Sequence, residues 1–225
     1  MSSKVFGIAG VDEAGRGPMI GPLVVCGVLV NPSDLRNLEA LGLKDSKTLS
    51  SSRREQLELR IRDLASKIVL QTIAASEIDA RRRRGTTLNE IEVDAFAAVI
   101  QSLRPLEVFV DAADVNADRF GAAIAIRSGL AAEKTRFISE HKADAKYPIV
   151  SAASIVAKVE RDRRIRELHG EYGDFGSGYP NDPKSIDFVR GLMLEGQEMP
   201  DIVRRSWESV KRIRSELGQT DLSRY

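Results

Sequence analysis

Four carboxylates that are far apart in the sequence each lie at or just past the end of a predicted β-strand: Asp12, Glu13, Asp111 and Asp144. Each strand is inferred from a short apolar run that polar or glycine residues end. Because strand ends meet at one edge of a sheet, we expect the four side chains to converge there. Carboxylates held that close repel one another, and their pKa values rise unless divalent cations fill the site.

The donor set indicates which metal and which reaction such a site serves. Oxygen ligands select hard cations, so the cluster predicts Mg²⁺ or Mn²⁺ rather than zinc. No paired His or Cys set accompanies it, since His141 and His169 are isolated and Cys26 is the only cysteine. A carboxylate cluster that holds two such ions activates water and stabilises the leaving oxygen in phosphodiester hydrolysis. The sequence therefore predicts a metal-dependent nuclease or phosphotransferase.

The elements that must position these acids alternate along the chain, which favours an α/β fold with one mixed sheet and helices packed on it. Strands are predicted at residues 4–11, 23–30, 68–74, 106–111 and 135–141. Helices are predicted at residues 52–66, 87–103 and 117–129, from Pro148 onward, and at 184–196 and 206–217, with capping boxes at Ser52/Glu55 and Thr87/Glu90. A segment rich in Gly and Pro, 170–183, is expected to separate a core from a C-terminal helical part. The predicted division is residues 1–169, 170–217 and a tail at 218–225.

Composition limits the compartment and the partners. With 225 residues the chain fits one large domain, or one domain with an appendage. The net charge of +1 provides no global basic field, so nucleic-acid binding requires a local patch. The run Arg81–Arg84 is either a solvated face or such a phosphate-contacting patch. A lone cysteine, no signal peptide and no long apolar segment favour a cytoplasmic protein without a membrane span.

The site acids lie within or beside short segments of distinctive sequence: Gly10–Pro18, Ile20–Val24, Asp45–Leu49, Val110–Asp111, Lys142–Asp144, Ser151–Lys158 and Gly176–Pro180. Together these segments closely resemble ribonuclease HII, the type-2 ribonuclease H family, and its archaeal branch in particular. The resemblance implies a ribonuclease H-like mixed five-stranded sheet flanked by helices, with a helical C-terminal extension. It also implies endonucleolytic cleavage of RNA in RNA–DNA hybrids and of single ribonucleotides in duplex DNA. The implied cut lies on the 5′ side of the ribonucleotide and leaves 5′-phosphate and 3′-hydroxyl ends.

The resemblance also assigns roles to particular residues. The four catalytic acids, which would hold two Mg²⁺ or Mn²⁺ ions, correspond to Asp12, Glu13, Asp111 and Asp144. The substrate-binding positions correspond to Gly15, Arg16, Gly17, Lys47, Ser151, Ser154, Lys158 and Tyr179. Glycines let the backbone approach a ribose closely, and the tyrosine would stack on the next deoxyribose, where a 2′-hydroxyl does not fit. The alternative for Tyr179 is a packed loop aromatic.

The end of the chain carries Gln219, Leu222 and Tyr225, whose spacing fits the peptides that bind the replication sliding clamp. Only one terminal aromatic residue is present where such peptides usually have two, so a disordered tail is the alternative. The other partner that the resemblance implies is an RNA–DNA hybrid or a ribonucleotide-containing duplex, bound by a monomer. Two competing hypotheses are a catalytically silent nucleic-acid-binding scaffold of the same fold and a phosphatase that acts on other substrates.

Overall fold

A five-stranded mixed sheet forms the centre of the fold. The computed structural model describes residues 7–43, 49–133 and 135–222, and for residues 219–222 it describes the backbone alone. The sheet has the order β3-β2-β1-β4-β5, with β1 at Ile8–Ala14, β2 at Leu23–Val30, β3 at Lys67–Ile73, β4 at Glu107–Asp111 and β5 at Arg136–Glu140. β1 pairs antiparallel with β2 and parallel with β4, and β4 pairs parallel with β5. The predicted α/β class and mixed five-stranded sheet are confirmed.

Helices connect and flank the strands. They are α1 (Leu35–Glu39), α2 (Ser51–Leu64), α3 (Ala75–Arg83), α4 (Leu88–Leu103), α5 (Ala117–Ser128), α6 (Ala143–Lys146), α7 (Pro148–Tyr172), α8 (Pro183–Leu194) and α9 (Glu208–Leu222). In α4 the apolar residues recur at helical spacing, and Ile91, Val99 and Leu103 are fully buried. Across the described ranges, no helix is long and apolar enough to cross a membrane.

The local predictions differ from the structure at several places. Strand β1 continues through Asp12 and Glu13, so both acids lie inside a paired strand rather than after it. Ser50, not Ser52, caps α2 by accepting a hydrogen bond from the backbone of Arg53. Helix α3 was not predicted, because its run of arginines hides the apolar periodicity. The expected tail at 218–225 is helical as far as Leu222, because α9 continues through Gly218.

The chain divides into two compact units that interleave along the sequence. Unit 1 comprises Met1–Ala14, Val24–Thr72 and Asn89–Glu160, and unit 2 comprises Gly15–Leu23, Ile73–Leu88 and Arg161–Tyr225. The three consecutive parts expected from the sequence, 1–169, 170–217 and 218–225, do not coincide with these two interleaved units. The reason is that each unit gathers distant segments around its own apolar core. In unit 2, Met19 and Ile20 pack in one cluster with Phe175, Val189 and Val210.

The core of unit 1 brings the first part of α7 onto the sheet. Val24, Cys26 and Val28 of β2 lie in one buried cluster with Val150 and Ile155 of α7. All eight residues of β2 are buried, which is typical of a central strand covered on both faces. Burial also raises the pKa of the Cys26 thiol, so this cysteine is a buried apolar side chain and not a reactive one.

Candidate active site

Three of the four predicted acids form a cluster in unit 1. Asp12, Asp111 and Asp144 each offer a carboxylate oxygen, and these oxygens lie within 4.8 Å of one another. Val11 of β1 pairs with Val110 of the parallel strand β4, so the next residues, Asp12 and Asp111, follow side by side. The sheet register therefore explains how two residues about a hundred positions apart meet.

The third acid reaches the cluster through a tight connection after β5. Lys142 adopts the left-handed backbone conformation, with φ of 57°, and the short helix α6 begins directly after it. Its first backbone N–H, at Ala143, donates to Oδ1 of Asp111 at 3.0 Å. This hydrogen bond orients the Asp111 carboxylate and at the same time places Asp144 beside it.

The electrostatics of Asp12 favour a bound cation. Burial, followed by repulsion from Glu13 and Asp111, holds the pKa of the Asp12 carboxyl well above its usual range. The backbone N–H of Glu13, which donates to Oδ1 of Asp12 at 2.7 Å, offsets part of this effect. A divalent ion relieves both burial and repulsion, and an all-carboxylate donor set suits a hard cation. The residues present therefore fit a divalent-metal site.

Glu13 is not one of the three clustered acids, and its role as a fourth ligand stays a prediction. Successive residues of a strand point to opposite faces, and Asp12 and Glu13 are neighbours within β1. Glu13 is half-buried, whereas Asp12 is buried. Its charge nevertheless acts on Asp12, since it is the leading charge that raises the pKa of that carboxyl.

Helix α7 lies directly against β1 because Gly10 has no side chain. A Cβ atom at Gly10 would come 2.3 Å from the carbonyl oxygen of Ile149. The first turn of α7 is thereby brought down to the strand that carries Asp12. Ser151 and Ser154 are both buried on this helix, and the Ser151 hydroxyl donates to the Leu43 carbonyl. That bond favours a positioning role for Ser151 over direct contact with a substrate.

The Gly-Arg-Gly segment and the predicted tyrosine come together in unit 2. Gly15 is buried with φ of 90°, whereas Gly17 is exposed. A Cβ atom built on Gly17 would lie 3.8 Å from Cε1 of Tyr179, so the glycine faces the ring. Tyr179 is 39% exposed, and its ring lies 5.1 Å from the guanidinium of Arg161. A packed loop aromatic would be buried, so this exposure favours a contact residue.

Sequence reasoning missed Arg204, which supports the Gly-Arg-Gly segment. Its guanidinium is fully buried and donates to the carbonyl oxygens of Gly15 at 2.6 Å, Arg16 at 3.0 Å and Gly21 at 3.1 Å. Trp207 donates from Nε1 to the Gly17 carbonyl at 3.2 Å. The only sequence signal for Arg204 is its position close to the single tryptophan, which is weak. Nothing in the neighbouring sequence indicates that this arginine is buried.

A second missed residue, Asp79, fixes the backbone that carries Arg204 and Trp207. Its buried carboxylate accepts hydrogen bonds from the backbone N–H groups of Arg205 and Ser206 and from the Ser206 hydroxyl. Asp79 belongs to α3, the helix that the sequence analysis missed.

Of the other residues predicted to bind the substrate or the clamp, four have no described side chain. Lys158 is half-buried on α7. Lys47 and Tyr225 lie outside the described residues, and Gln219 and Leu222 belong to α9 without a described side chain. Their assigned roles stay predictions.

Comparison with known proteins gives one consistent family. The model of the family described as Ribonuclease HII matches residues 9–210. A ribonuclease HII of Methanocella arvoryzae is 46% identical over 219 residues, which cover 97% of this chain and 96% of that protein. The crystal structure of the ribonuclease H2 of Pyrococcus horikoshii OT3 has a TM-score of 0.85 and 40% identity, and the match covers 94% of this chain and 99% of that chain. A chain from the PCNA:RNase HII complex of Archaeoglobus fulgidus has a TM-score of 0.83 and 42% identity, with 92% and 96% covered.

Proposed function

Because this chain belongs to the ribonuclease HII family and is a ribonuclease H endonuclease, we propose that it cleaves both long RNA–DNA hybrids and single ribonucleotides embedded in duplex DNA. The proposed cut lies on the 5′ side of the ribonucleotide and leaves 5′-phosphate and 3′-hydroxyl ends. The observation that carries this proposal is the cluster of Asp12, Asp111 and Asp144, whose oxygens lie within 4.8 Å. Such a cluster has no apparent use in a silent scaffold, because like charges at this distance oppose folding.

The clustered acids would hold two divalent cations, Mg²⁺ or Mn²⁺, with Glu13 as a further ligand. When bound, these ions supply the positive charge that activates a water molecule and stabilises the leaving oxygen. The protein's own contribution is to hold the carboxylates in place. Asp111 is oriented by the Ala143 N–H, and Asp12 by the N–H of Glu13.

The Gly-Arg-Gly segment is proposed to recognise the ribose. Exposed Gly17 carries no side chain that would keep a sugar away, and RNA differs from DNA by the 2′-hydroxyl that a close backbone can contact. Arg16 and Gly17 line a groove with Arg82, Pro180 and Trp207. Two arginines and an aromatic ring are the groups that bind phosphates and stack on bases. Tyr179, exposed beside Gly17, is proposed to stack on the deoxyribose that follows the ribonucleotide.

Further phosphate contacts are proposed for Lys47 and Lys158, on the strength of the family resemblance. Ser154, which is buried on α7, is proposed to line the substrate channel near Asp144 on the strength of the same resemblance. Ser151 is proposed to act indirectly, through its bond to the Leu43 carbonyl.

Cleavage of a duplex with one embedded ribonucleotide tests the proposed function. The wild-type chain is expected to cut it at the 5′ side of the ribonucleotide with Mg²⁺ or Mn²⁺, and to leave the all-DNA duplex intact. Asp12→Asn is expected to abolish cleavage while binding of the hybrid persists. Absence of cleavage by the wild type with either metal would favour the silent scaffold. Release of phosphate without discrimination between the two duplexes would favour the phosphatase.

A sliding clamp is proposed as a protein partner. The support is the spacing of Gln219, Leu222 and Tyr225, together with the similarity to the RNase HII that is solved in complex with PCNA. A chain truncated after Gly218 is expected to lose clamp binding and to keep its cleavage rate, measured by calorimetry and by the duplex assay. Tyr225→Ala provides the matched point variant. Clamp binding at wild-type affinity by both variants would refute the proposed peptide.

A further inference from the structure

Arg161 contacts both parts of the proposed substrate-recognition surface in unit 2. It lies on α7 and is 5% exposed. Its guanidinium lies 5.1 Å from the centroid of the Tyr179 ring and donates from Nη2 to the Ser177 carbonyl at 3.1 Å. On the other side, a Cβ atom at Gly15 would come 2.6 Å from Arg161 Nε, so the glycine packs directly on the side chain.

The loop that carries Tyr179 is also bound through the backbone to the residues that follow the Gly-Arg-Gly segment. The N–H groups of Met19 and Ile20 both donate to the Gly178 carbonyl, at 2.8 Å and 3.2 Å. A Cβ atom at Gly178 would lie 3.4 Å from Arg161 Nη2. Arg161 therefore lies against both segments, at Gly15 in one and at Gly178 and Tyr179 in the other.

No ion pair with a described residue offsets the cost of burying the Arg161 charge. Within the described part of the chain, neither Arg161 nor the neighbouring Arg204 forms a salt bridge, and Arg161 Nε has no hydrogen-bond partner. Burial lowers the pKa of both guanidinium groups, and that of Arg204 is lowered further by Arg161. A well-packed apolar side chain would usually be less costly at such a position. A buried guanidinium without an ion pair is thus better explained by what it positions than by a gain in stability.

We propose that Arg161 is the positioning residue that holds the Tyr179 ring in register with the Gly15–Gly17 segment, and so sets the preference for a ribonucleotide followed by a deoxyribonucleotide. The inference rests on the proposed function, because it concerns how that substrate is recognised. The guanidinium holds the Tyr179 ring by a cation–π contact, while Cδ and Nε of the same side chain pack against Gly15. Arg204 holds the carbonyls of Gly15 and Arg16 from another side.

A lysine cannot replace these contacts, which makes Arg161→Lys an informative variant. It keeps the charge and most of the stem, but it lacks the planar group that lies over the ring and reaches the Ser177 carbonyl. Arg161→Met keeps the volume and removes the charge. Val189→Ala is the control for a general loss of stability, because Val189 is fully buried in the apolar core of unit 2.

The experiment compares kcat/KM on two duplexes, one with a single embedded ribonucleotide and one with a continuous RNA strand. The measured quantity is kcat/KM on the embedded ribonucleotide divided by kcat/KM on the continuous RNA strand. Both Arg161 variants are expected to lower this ratio by about tenfold, mainly through a higher KM on the first duplex. Val189→Ala is expected to reduce stability and leave the ratio unchanged. An unchanged ratio in Arg161→Lys or Arg161→Met would overturn the proposal, and the lysine variant alone decides if the methionine variant fails to fold.

A double variant separates positioning from a general loss of structure. If Arg161 acts through the ring, Tyr179→Ala and the Tyr179→Ala/Arg161→Lys combination have the same ratio, because the ring that Arg161 positions is already absent. Additive losses would contradict action through Tyr179. If the wild type cleaves neither duplex, the proposed function is overturned. If the wild type cleaves both duplexes and the Arg161 variants have the wild-type ratio, only the inference about Arg161 is overturned.

Discussion

The backbone N–H of Ala143 donates a hydrogen bond of 3.0 Å to Oδ1 of Asp111, 32 residues earlier in the chain. One bond therefore joins the end of β4 to the start of α6, the helix that carries Asp144. The Asp111 carboxylate accepts this backbone hydrogen bond and also offers an oxygen to the cluster with Asp12 and Asp144. Orientation of a ligand by a backbone amide is a common way to fix a metal site.

Two substitutions at Asp111 separate its two uses. Asp111→Asn keeps an oxygen that accepts from Ala143, whereas Asp111→Ala removes the acceptor. We expect both variants to lose metal-dependent cleavage, and the alanine variant to be less stable than the asparagine variant by about 1 kcal/mol. Urea unfolding and the duplex assay measure the two effects. Equal stability of the two variants would contradict the role of the Ala143 bond.

Neutralising Asp12 should stabilise the metal-free protein. Its carboxylate is buried and repelled by Glu13 and Asp111, so Asp12→Asn is expected to raise the free energy of unfolding by on the order of 1 kcal/mol. Mg²⁺ is expected to raise the Tm of the wild type, because it binds the folded state, and to have little effect on the variant. Removing the metal with EDTA should reverse the wild-type shift.

Asp79 offers the matched control for that experiment, because it is a buried aspartate with a different environment. It accepts three hydrogen bonds from Arg205 and Ser206. Asp79→Asn is therefore expected to destabilise the protein, the opposite sign to Asp12→Asn. Stabilisation by both substitutions would show that buried charge alone, and not the cluster, determines the effect at Asp12.

Gly10 is required for the contact between β1 and α7. Gly10→Ala would place a carbon 2.3 Å from the Ile149 carbonyl oxygen, so we expect a loss of about 1–3 kcal/mol in the free energy of unfolding. Gly170, in the exposed part of α7, has no atom within 4 Å of an added Cβ. Gly170→Ala should instead stabilise by about 0.5–1 kcal/mol. Thermal unfolding of the two variants tests the pair.

Gly15 and Gly17 should respond differently to the same substitution. Gly15 has φ of 90°, and a Cβ atom there would lie 2.5 Å from the Pro22 carbonyl, so Gly15→Ala is expected to destabilise by about 1–3 kcal/mol. At Gly17 the nearest contact is an ordinary 3.8 Å from the Tyr179 ring. Gly17→Ala is therefore expected to keep wild-type stability and to lose cleavage at an embedded ribonucleotide. Full activity of Gly17→Ala would contradict close approach of the ribose at that position.

Asp114 should make stability depend on pH in the acid range. The N–H of Asn116 and the side chain of Arg119, with Asn89, lower the pKa of its carboxyl from 3.8 to about 2. Because the pKa is lower in the folded state, the stabilisation is complete above pH 3.8 and is lost as pH falls towards 2. Asp114→Asn is expected to flatten the pH dependence of the unfolding free energy in this window. An unchanged slope would assign the acid sensitivity to other carboxylates.

The sequence by itself determined the order and type of most elements, since these depend on local patterns. Apolar runs marked the strands that became β1, β2, β3, β4 and β5, and helical spacing marked α2, α4, α5, α7, α8 and α9. It also placed the clustered acids, because neighbouring parallel strands end at one edge and short connections follow them. The family resemblance, which the comparisons confirm, likewise came from contiguous motifs.

Only the tertiary structure decided which distant residues support the site. Nothing near Arg161 or Arg204 in the sequence indicates that a charged side chain is buried, because burial depends on segments that arrive from elsewhere in the chain. The same holds for Asp79, which is buried and accepts hydrogen bonds from Arg205 and Ser206, 126 and 127 residues later. Local periodicity encodes the elements, whereas the partners of buried polar groups are determined by packing over long sequence distances.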